Sequence, residues 1–158
     1  MLALLAASPL AAQSTSSDTV LRIDGAVATP FAVTRRDVNR LARRWMIKPP
    51  ADGLPAVTFG GIPLSVLLRR AGSPSDPAIV ARSYLLATSS DGGRVLFALA
   101  EIDSLFSDRN LLIADELEHM ALSGGDGPLW LIAPFDDRRA RWLKHVNRLT
   151  VVTLGTSE

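Results

Sequence analysis

The sequence predicts an α+β domain that is mainly β, with a few short flanking helices. Several short segments alternate apolar and polar residues and end at turn-forming residues, as half-buried strands do. Examples are TVLRIDG at 19–25 and the pair YLLAT and RVLFAL, which flank the turn SSDGG. Helical spacing of apolar residues appears only near 34–45 and 63–71, and the 158 residues show neither an internal repeat nor a second domain.

The segment after the first strand is predicted to be a helix. Thr34 is a natural N-cap residue with Asp37 three positions on, and Val38, Leu41 and Trp45 recur on one helical face. The other faces carry arginines that we expect to be solvated: Arg35, Arg36, Arg40, Arg43 and Arg44.

A second helix is predicted to start at Pro63, which suits a first helical turn, and to end at Gly72. A short strand at 56–59 and a turn at Gly60–Gly61 are expected to precede it. The apolar stripe of this helix consists of Leu64, Leu67, Leu68 and Ala71.

The second half of the chain is predicted to be mostly strand. LLIADE, GPLWLIAP and HVNRLTVVTL supply three further strands, and GGDG at 124–127 is typical of a hairpin turn rather than a phosphate-binding loop. No nucleophile elbow and no paired catalytic base is visible, so the sequence favours a binding protein over an enzyme.

Composition excludes several classes of function. With 17 basic and 16 acidic residues the formal net charge is +1, so no global field would draw the chain onto nucleic acid or an anionic membrane. The 47% of hydrophobic residues indicate a globular chain. Because Cys is absent, disulfides, thiolate metal sites and a Cys nucleophile are all excluded.

The N-terminal segment MLALLAASPLAA resembles the apolar and cleavage regions of a secretory signal, although it has no basic start. We expect residues 1–12 to be a signal-peptide remnant, 13–18 a polar linker and 19–155 the folded domain, exported to the periplasm. A buried N-terminal strand is the alternative. The apolar run of about a dozen residues is shorter than the roughly 20 that a membrane span needs, so we expect no insertion of the mature chain.

The segment PFDDRRARWLKHVNR at 134–148 concentrates four Arg, one Lys, one His and one Trp between two apolar runs. It could be a solvated connection between strands. It could instead bind an anionic or carbonyl-rich ligand through guanidinium groups, with Trp142 stacking on a flat ring. If the segment were a regular strand, Arg141 and Trp142 would point to opposite faces, so one of them would have to act from a loop.

Five segments taken in order resemble the molybdopterin-binding domain of the sulfite oxidase class. They are LRIDGAVATPFAVTRRDVNRL, VTFGGIPLSVLLRRAG, YLLATSSDGGRVLFALAEID, LLIADE and GPLWLIAPFDDRRARWLKHVNRLTVV, and the match runs from about residue 21 to 152. The resemblance implies the sulfite-oxidase-like fold, with a pterin site built from loops. Enzymes of that class hold molybdenum through a Cys thiolate, which this chain lacks. The chain therefore most resembles small periplasmic proteins that bind a pterin without molybdenum and report it to a membrane-bound signalling enzyme.

The resemblance implies that residues 135–142 wrap the pterin. The candidate cations are Arg138, Arg139, Arg141 and Lys144, with Trp142 as the stacking surface. A carboxylate should accept from the pyrimidine edge, and the candidates are Asp91, Glu101, Asp103 and Asp115.

Each candidate also has a purely structural explanation. Asp91 could only form its turn, and Glu101 and Asp103 could only cap a short helix. Trp142 could face the core while Arg141 and Lys144 pair with Asp136 or Asp137. The two histidines, His119 and His145, are too few and too far apart in sequence to indicate a metal centre.

Three functions remain open on the sequence. The first is a periplasmic pterin-binding or sensing protein that interacts with a membrane signalling protein, without molybdenum. The second is a degenerate molybdopterin oxidoreductase with a non-thiolate metal site, and the third is an interaction domain without a ligand.

Overall fold

A computed structural model describes residues 18–50, 53–103, 110–136 and 138–155. In chain order its elements are β1 (Thr19–Gly25), β2 (Phe31–Thr34), α1 (Arg35–Val38), β3 (Arg44–Lys48), β4 (Val57–Pro63), α2 (Leu64–Arg70), α3 (Pro77–Val80), β5 (Ser83–Ser89), β6 (Arg94–Ala98), α4 (Leu99–Ile102), β7 (Leu112–Leu117), β8 (Met120–Ala121), β9 (Trp130–Ile132) and β10 (Val146–Thr153). The predicted mainly β architecture with short helices is confirmed. The predicted signal remnant 1–12 and residues 13–17 of the linker lie outside the described residues.

The strands form two sheets. The first has the order β2-β1-β10-β5-β6, and in it β1 pairs in parallel with β10, bringing the two ends of the domain side by side. The second has the order β3-β4-β7-β8, with β9 also pairing with β7. Within the described residues, no helix has the length and hydropathy that a membrane span requires.

Two clusters of buried side chains form the core. The larger joins α2 and both sheets, with Ile23 and Leu149 from the first sheet and Ile62 and Ile113 from the second. The smaller surrounds Phe59 on the second sheet. Trp142 packs against both clusters, so the segment that carries it lies where the two meet.

The first predicted helix is mostly wrong. Thr34 and Asp37 form the expected capping box, but α1 ends at Val38 and the chain becomes strand at Arg44. The reason is tertiary, because β3 pairs with β4 along its length and the Trp45 ring covers Gly60. Arg43 is also not simply solvated, since it donates to Asp115 at 2.8 Å and to Glu116 at 2.7 Å.

The predicted turn at Gly60–Gly61 is likewise wrong, because both glycines lie inside β4, and the predicted strand 56–59 extends to Pro63. The pairing of β4 with β7 shifts register between the two glycines. A Cβ on Gly61 would fall onto the Ile113 carbonyl, so close approach of the backbones explains this residue. GGDG, predicted as a hairpin turn, contains a 3₁₀ turn at Gly124–Asp126.

The second helix agrees with its prediction. Pro63 precedes α2, the predicted stripe of Leu64, Leu67, Leu68 and Ala71 is buried, and Gly72 follows with φ +67°. The helical spacing predicted this helix correctly because all four residues of the stripe belong to the larger core cluster.

The basic segment between β9 and β10 is not a strand. It contains a 3₁₀ turn at Arg139–Arg141, and Leu143 makes an isolated antiparallel bridge to Leu131. The bridge fixes the end of the segment against β9, while the turn lets consecutive side chains leave it in directions that a regular strand would not allow.

Candidate ligand-binding site

Arg141 lies at the centre of the candidate site. Its Nε and Nη2 both donate to the Asp136 carboxylate at 2.8 Å, and its Nη1 donates to Glu101 Oε2 at 2.9 Å. The guanidinium carbon lies 4.6 Å from the centroid of the buried Phe97 ring. The hydrogen bonds from Asp136 and Glu101 hold the pKa of Arg141 above its ordinary value, so this cation is permanent and its orientation is fixed.

Glu101 reaches Arg141 from the short helix α4. Its Oε1 accepts from the backbone N–H of Ala98 at 3.1 Å, which leaves Oε2 directed at Arg141. One oxygen of this carboxylate therefore makes the predicted capping contact, and the other faces Arg141. Residues 40 positions apart in sequence meet here.

These side chains border a narrow crevice whose other walls are Leu111 and the segment 133–136. Its free volume of about 10 Å³ has room for about one water molecule. A ligand ring can therefore enter only if the Glu101–Arg141 pair opens. Both side chains of that pair are 32% exposed, and solvent screens such a pair, so opening it costs only about 1 kcal/mol or less.

Trp142 holds one wall of the crevice in place through Ala133. Its Nε1 donates to the Ala133 carbonyl at 3.0 Å, and its ring meets Phe59 edge to face with centroids 5.3 Å apart. Arg139 lies over the ring at 4.9 Å from its centroid. Trp142, the predicted stacking residue, is thus partly a core residue, which was its alternative structural role. Arg139, one of the predicted cations, already covers its ring.

Lys144 belongs to a different group. It pairs with Asp126 at 2.8 Å and lies 4.3 Å from the centroid of the Trp130 ring. The pairing with Asp126 lowers the pKa of that carboxyl. Arg138 is exposed just before the 3₁₀ turn.

Three of the four predicted carboxylates are not at the Arg141 cluster. Asp91 accepts from the Ser89 hydroxyl and from the Gly93 N–H, and these hydrogen bonds lower its pKa, as a turn-forming aspartate requires. Asp115 is paired with Arg43 on the second sheet. Asp103 follows α4 and lines a separate cavity.

That second cavity has a volume of about 370 Å³ and lies on the side of α4 formed by Leu99 and Ile102. Its other walls come from α2 and the residues after it, including Leu68, Arg69 and Ser73. It is large enough for a small heterocycle, but among its described wall residues only Asp103 was a candidate from the sequence.

Lys48 contacts a wall residue of the crevice, and sequence reasoning missed it. It ends β3, it is 6% exposed, and its Nζ donates to the Asp136 carbonyl at 2.8 Å. A lysine followed by two prolines is typical of an exposed strand end. Only the fold, which places the end of β3 beside residue 136, identifies it.

The comparisons with known proteins concern the fold. No family model matches the chain, and no curated protein sequence matches it. Among solved structures, the chain is similar to the sulfane dehydrogenase SoxCD from Paracoccus pantotrophus, with a TM-score of 0.66 and 21% identity. The likeness covers 87% of this chain and 39% of that chain, so this domain spans well under half of its neighbour.

The residues present do not fit a molybdenum ion held by a protein thiolate, because the chain contains no Cys. Over the described ranges there is also no group of three or more His, Asp or Glu side chains that could hold a metal ion. What the candidate site offers instead is one oriented guanidinium beside one oriented carboxylate. At the level of its fold, this chain is a mainly β domain similar to part of the SoxCD sulfane dehydrogenase.

Proposed function

We propose that this chain binds a pterin at the crevice between Glu101 and Arg141. The observation that carries the proposal is that a carboxylate and a guanidinium lie side by side, each oriented by another group. Ala98 orients Glu101 and Asp136 orients Arg141. The sequence resemblance to pterin-binding domains supports the same ligand class.

The chemistry of a pterin edge matches this pair. Its pyrimidine ring presents an amino group and a ring N–H, which a carboxylate accepts together, beside a carbonyl oxygen, which a guanidinium donates to. In the free protein the two groups satisfy each other at 2.9 Å. A bound pterin would replace that one hydrogen bond with bonds to both groups, while Asp136 keeps Arg141 in place.

The proposed setting of this function is the periplasm, with the periplasmic domain of a membrane signalling protein as partner and no molybdenum involved. The apolar segment 1–12 supports export. N-terminal sequencing of protein from a periplasmic fraction tests it. Mature protein should begin near residue 13, and an intact Met1 on cytoplasmic protein would contradict export.

Titration with fluorescent 6-hydroxymethylpterin tests the site. Glu101→Gln keeps an oxygen to accept from Ala98 but replaces the acceptor that faces the ligand with a donor. We expect a loss of roughly tenfold to a hundredfold in affinity, because one charge-assisted hydrogen bond contributes about 1.5–3 kcal/mol.

Arg141→Ala should weaken binding to a similar extent. The control is Arg36→Ala, which removes an equal charge from an exposed position on α1 and should change affinity less than about twofold. Absence of binding by the parent protein, or equal losses from Arg141→Ala and Arg36→Ala, would refute the proposed site.

A further inference from the structure

β3 is the outermost strand of the second sheet. It pairs with β4 along its whole length, from Arg44 to Lys48, without a shift in register. In the described ranges, no other strand and no loop backbone hydrogen-bonds to residues 44–48. Because a strand edge carries a row of N–H and C=O groups, this free edge of β3 is a template for a further strand.

The side chains on the outer face of β3 are apolar. Trp45 and Ile47 lie on this face and are 46% and 65% exposed, whereas Met46 between them packs on the smaller core cluster. The Trp45 ring covers Gly60, and its centroid is 4.3 Å from that of the His119 ring. A large exposed ring beside an exposed β-branched residue, on the same edge strand, is typical of an interaction surface.

The usual protections of an edge strand are missing from β3. Proteins protect such edges with bulges, with proline and with exposed charged side chains, lysine above all. Residues 44–48 contain no proline and no register shift. Lys48 is only 6% exposed and its Nζ donates to the Asp136 carbonyl, so it does not protect the edge. Arg44 is the one exposed charge on the strand.

The pattern of β3 is complementary to itself. In an antiparallel pair centred on Met46, Trp45 of each copy lies opposite Ile47 of the other, on the same face. Cross-strand pairs of an aromatic and a β-branched residue are stabilising. The same pairing brings Arg44 opposite Lys48, whose ammonium is already bound to a backbone carbonyl. With a formal net charge of +1, two copies repel each other little.

We propose that the chain forms a two-fold symmetric homodimer by antiparallel pairing of β3 with β3 of a second copy. A tryptophan buries at most about 250 Å², so the 46% of Trp45 that is exposed contributes about 100 Å² from each copy. An interface built on one short strand should stay below about 1,200 Å², the range of weak complexes. The inference concerns a different surface from the Glu101–Arg141 crevice and does not rest on the proposed function.

Sedimentation velocity of the full chain, without any pterin, tests the dimer. We expect the weight-average mass to rise from monomer toward dimer between about 5 and 500 µM, as a weak interface requires. Ile47→Asp places a charge opposite Trp45 of the other copy and should keep the protein monomeric. The matched control is Leu96→Asp, the same kind of change at a 55% exposed position on β6, which is the edge strand of the first sheet.

The control should associate as the parent does. A parent that stays monomeric at about 500 µM would overturn the proposal. Undiminished association of Ile47→Asp would overturn it as well, and so would an equal loss in Leu96→Asp. Circular dichroism of both variants verifies that they are folded, and the cross-linking experiment below does not depend on either of them.

Disulfide cross-linking tests the register, and the absence of Cys from the chain removes any background. Met46→Cys should form an interchain disulfide on mild oxidation, because Cα atoms directly opposite each other lie about 4.5–5.5 Å apart, within disulfide reach. In Arg44→Cys the two thiols would be four residues out of register, about 13 Å apart, which is too far. We expect cross-linking of Met46→Cys to be at least about tenfold faster. Equal rates for the two variants, or no cross-link in Met46→Cys, would contradict the proposed pairing.

Discussion

Arg141 has three kinds of neighbour, and they decide how the crevice can open. Its two contacts to Asp136 form a bidentate pair with a carboxylate that is only 14% exposed, whereas the Glu101 contact is single and more exposed. Phe97 supports the flat face of the guanidinium. A ligand should therefore displace Glu101 and leave Asp136 bound, because the bidentate, less exposed pair is the stronger one.

Trp142 gives a test of how the segment 133–136 is held. Trp142→Phe keeps an aromatic ring against Phe59 but removes the hydrogen bond to the Ala133 carbonyl. We expect a loss of about 1–2 kcal/mol in the free energy of unfolding, measured by urea denaturation.

Trp130→Phe is the control for this change. Trp130 also lies near Phe59 and donates to a backbone carbonyl, that of Asp126, but this hydrogen bond is exposed. Water can replace an exposed partner, so the loss should be smaller. A loss from Trp130→Phe as large as that from Trp142→Phe would contradict the structural role given to Trp142.

At the scale of elements, α1 depends on its cap. With four residues it is too short to be stable alone, so the reciprocal hydrogen bonds of Thr34 and Asp37 are needed to define it. These hydrogen bonds, first that from the Thr34 side chain and then that from its backbone, lower the pKa of Asp37.

The cap should make stability depend on pH. The folded-state pKa of Asp37 is depressed. The contribution of this carboxylate to folding stability is therefore fully present above the ordinary carboxyl pKa of about 3.9, and it is lost as the pH falls through the folded-state pKa. Asp37→Asn should thus destabilise the protein more at about pH 5 than at about pH 2.5. Urea unfolding at the two pH values measures this, and equal destabilisation at both would contradict it.

The two glycines of β4 give a second test at this scale. Gly61→Ala would push a Cβ into the Ile113 backbone, which cannot move without disturbing the pairing of β4 with β7. Gly60→Ala would meet the Trp45 ring at 2.6 Å, but this neighbour is a side chain that is 46% exposed and not backbone. We expect Gly61→Ala to cost about 1–3 kcal/mol and Gly60→Ala clearly less, measured as urea unfolding free energies. The reverse order would contradict the close approach described for β4.

At the scale of the whole molecule, periodicity identified most strands but not their partners. The alternation in TVLRIDG correctly indicated β1, yet nothing local indicates that β1 pairs in parallel with β10, whose residues lie about 125 positions later. The spacing of Val38, Leu41 and Trp45 was misleading for a related reason. An apolar residue stands at position 45 because its ring covers Gly60 on the neighbouring strand. Helical spacing cannot reveal such a contact between strands.

The candidate site likewise contains residues that the sequence could suggest and residues that only the fold could identify. Arg141 and Glu101 were candidates from residue type and motif order, and the fold does bring them together. Asp91 and Asp115 were equally plausible from the sequence, but the fold gives them local or cross-strand partners. Lys48 could not be identified at all, since its burial depends on the position of a segment almost ninety residues away.

The central claim is that a pterin ring binds between Glu101 and Arg141, and a crystal structure of the protein with 6-hydroxymethylpterin tests it most directly. We expect the 2.9 Å contact between Glu101 and Arg141 to be broken, the pyrimidine edge to lie on Glu101, and the contacts of Arg141 with Asp136 to be intact. A pterin found in the cavity of about 370 Å³ beside Leu68 and Ile102, with the Glu101–Arg141 contact unbroken, would contradict the claim.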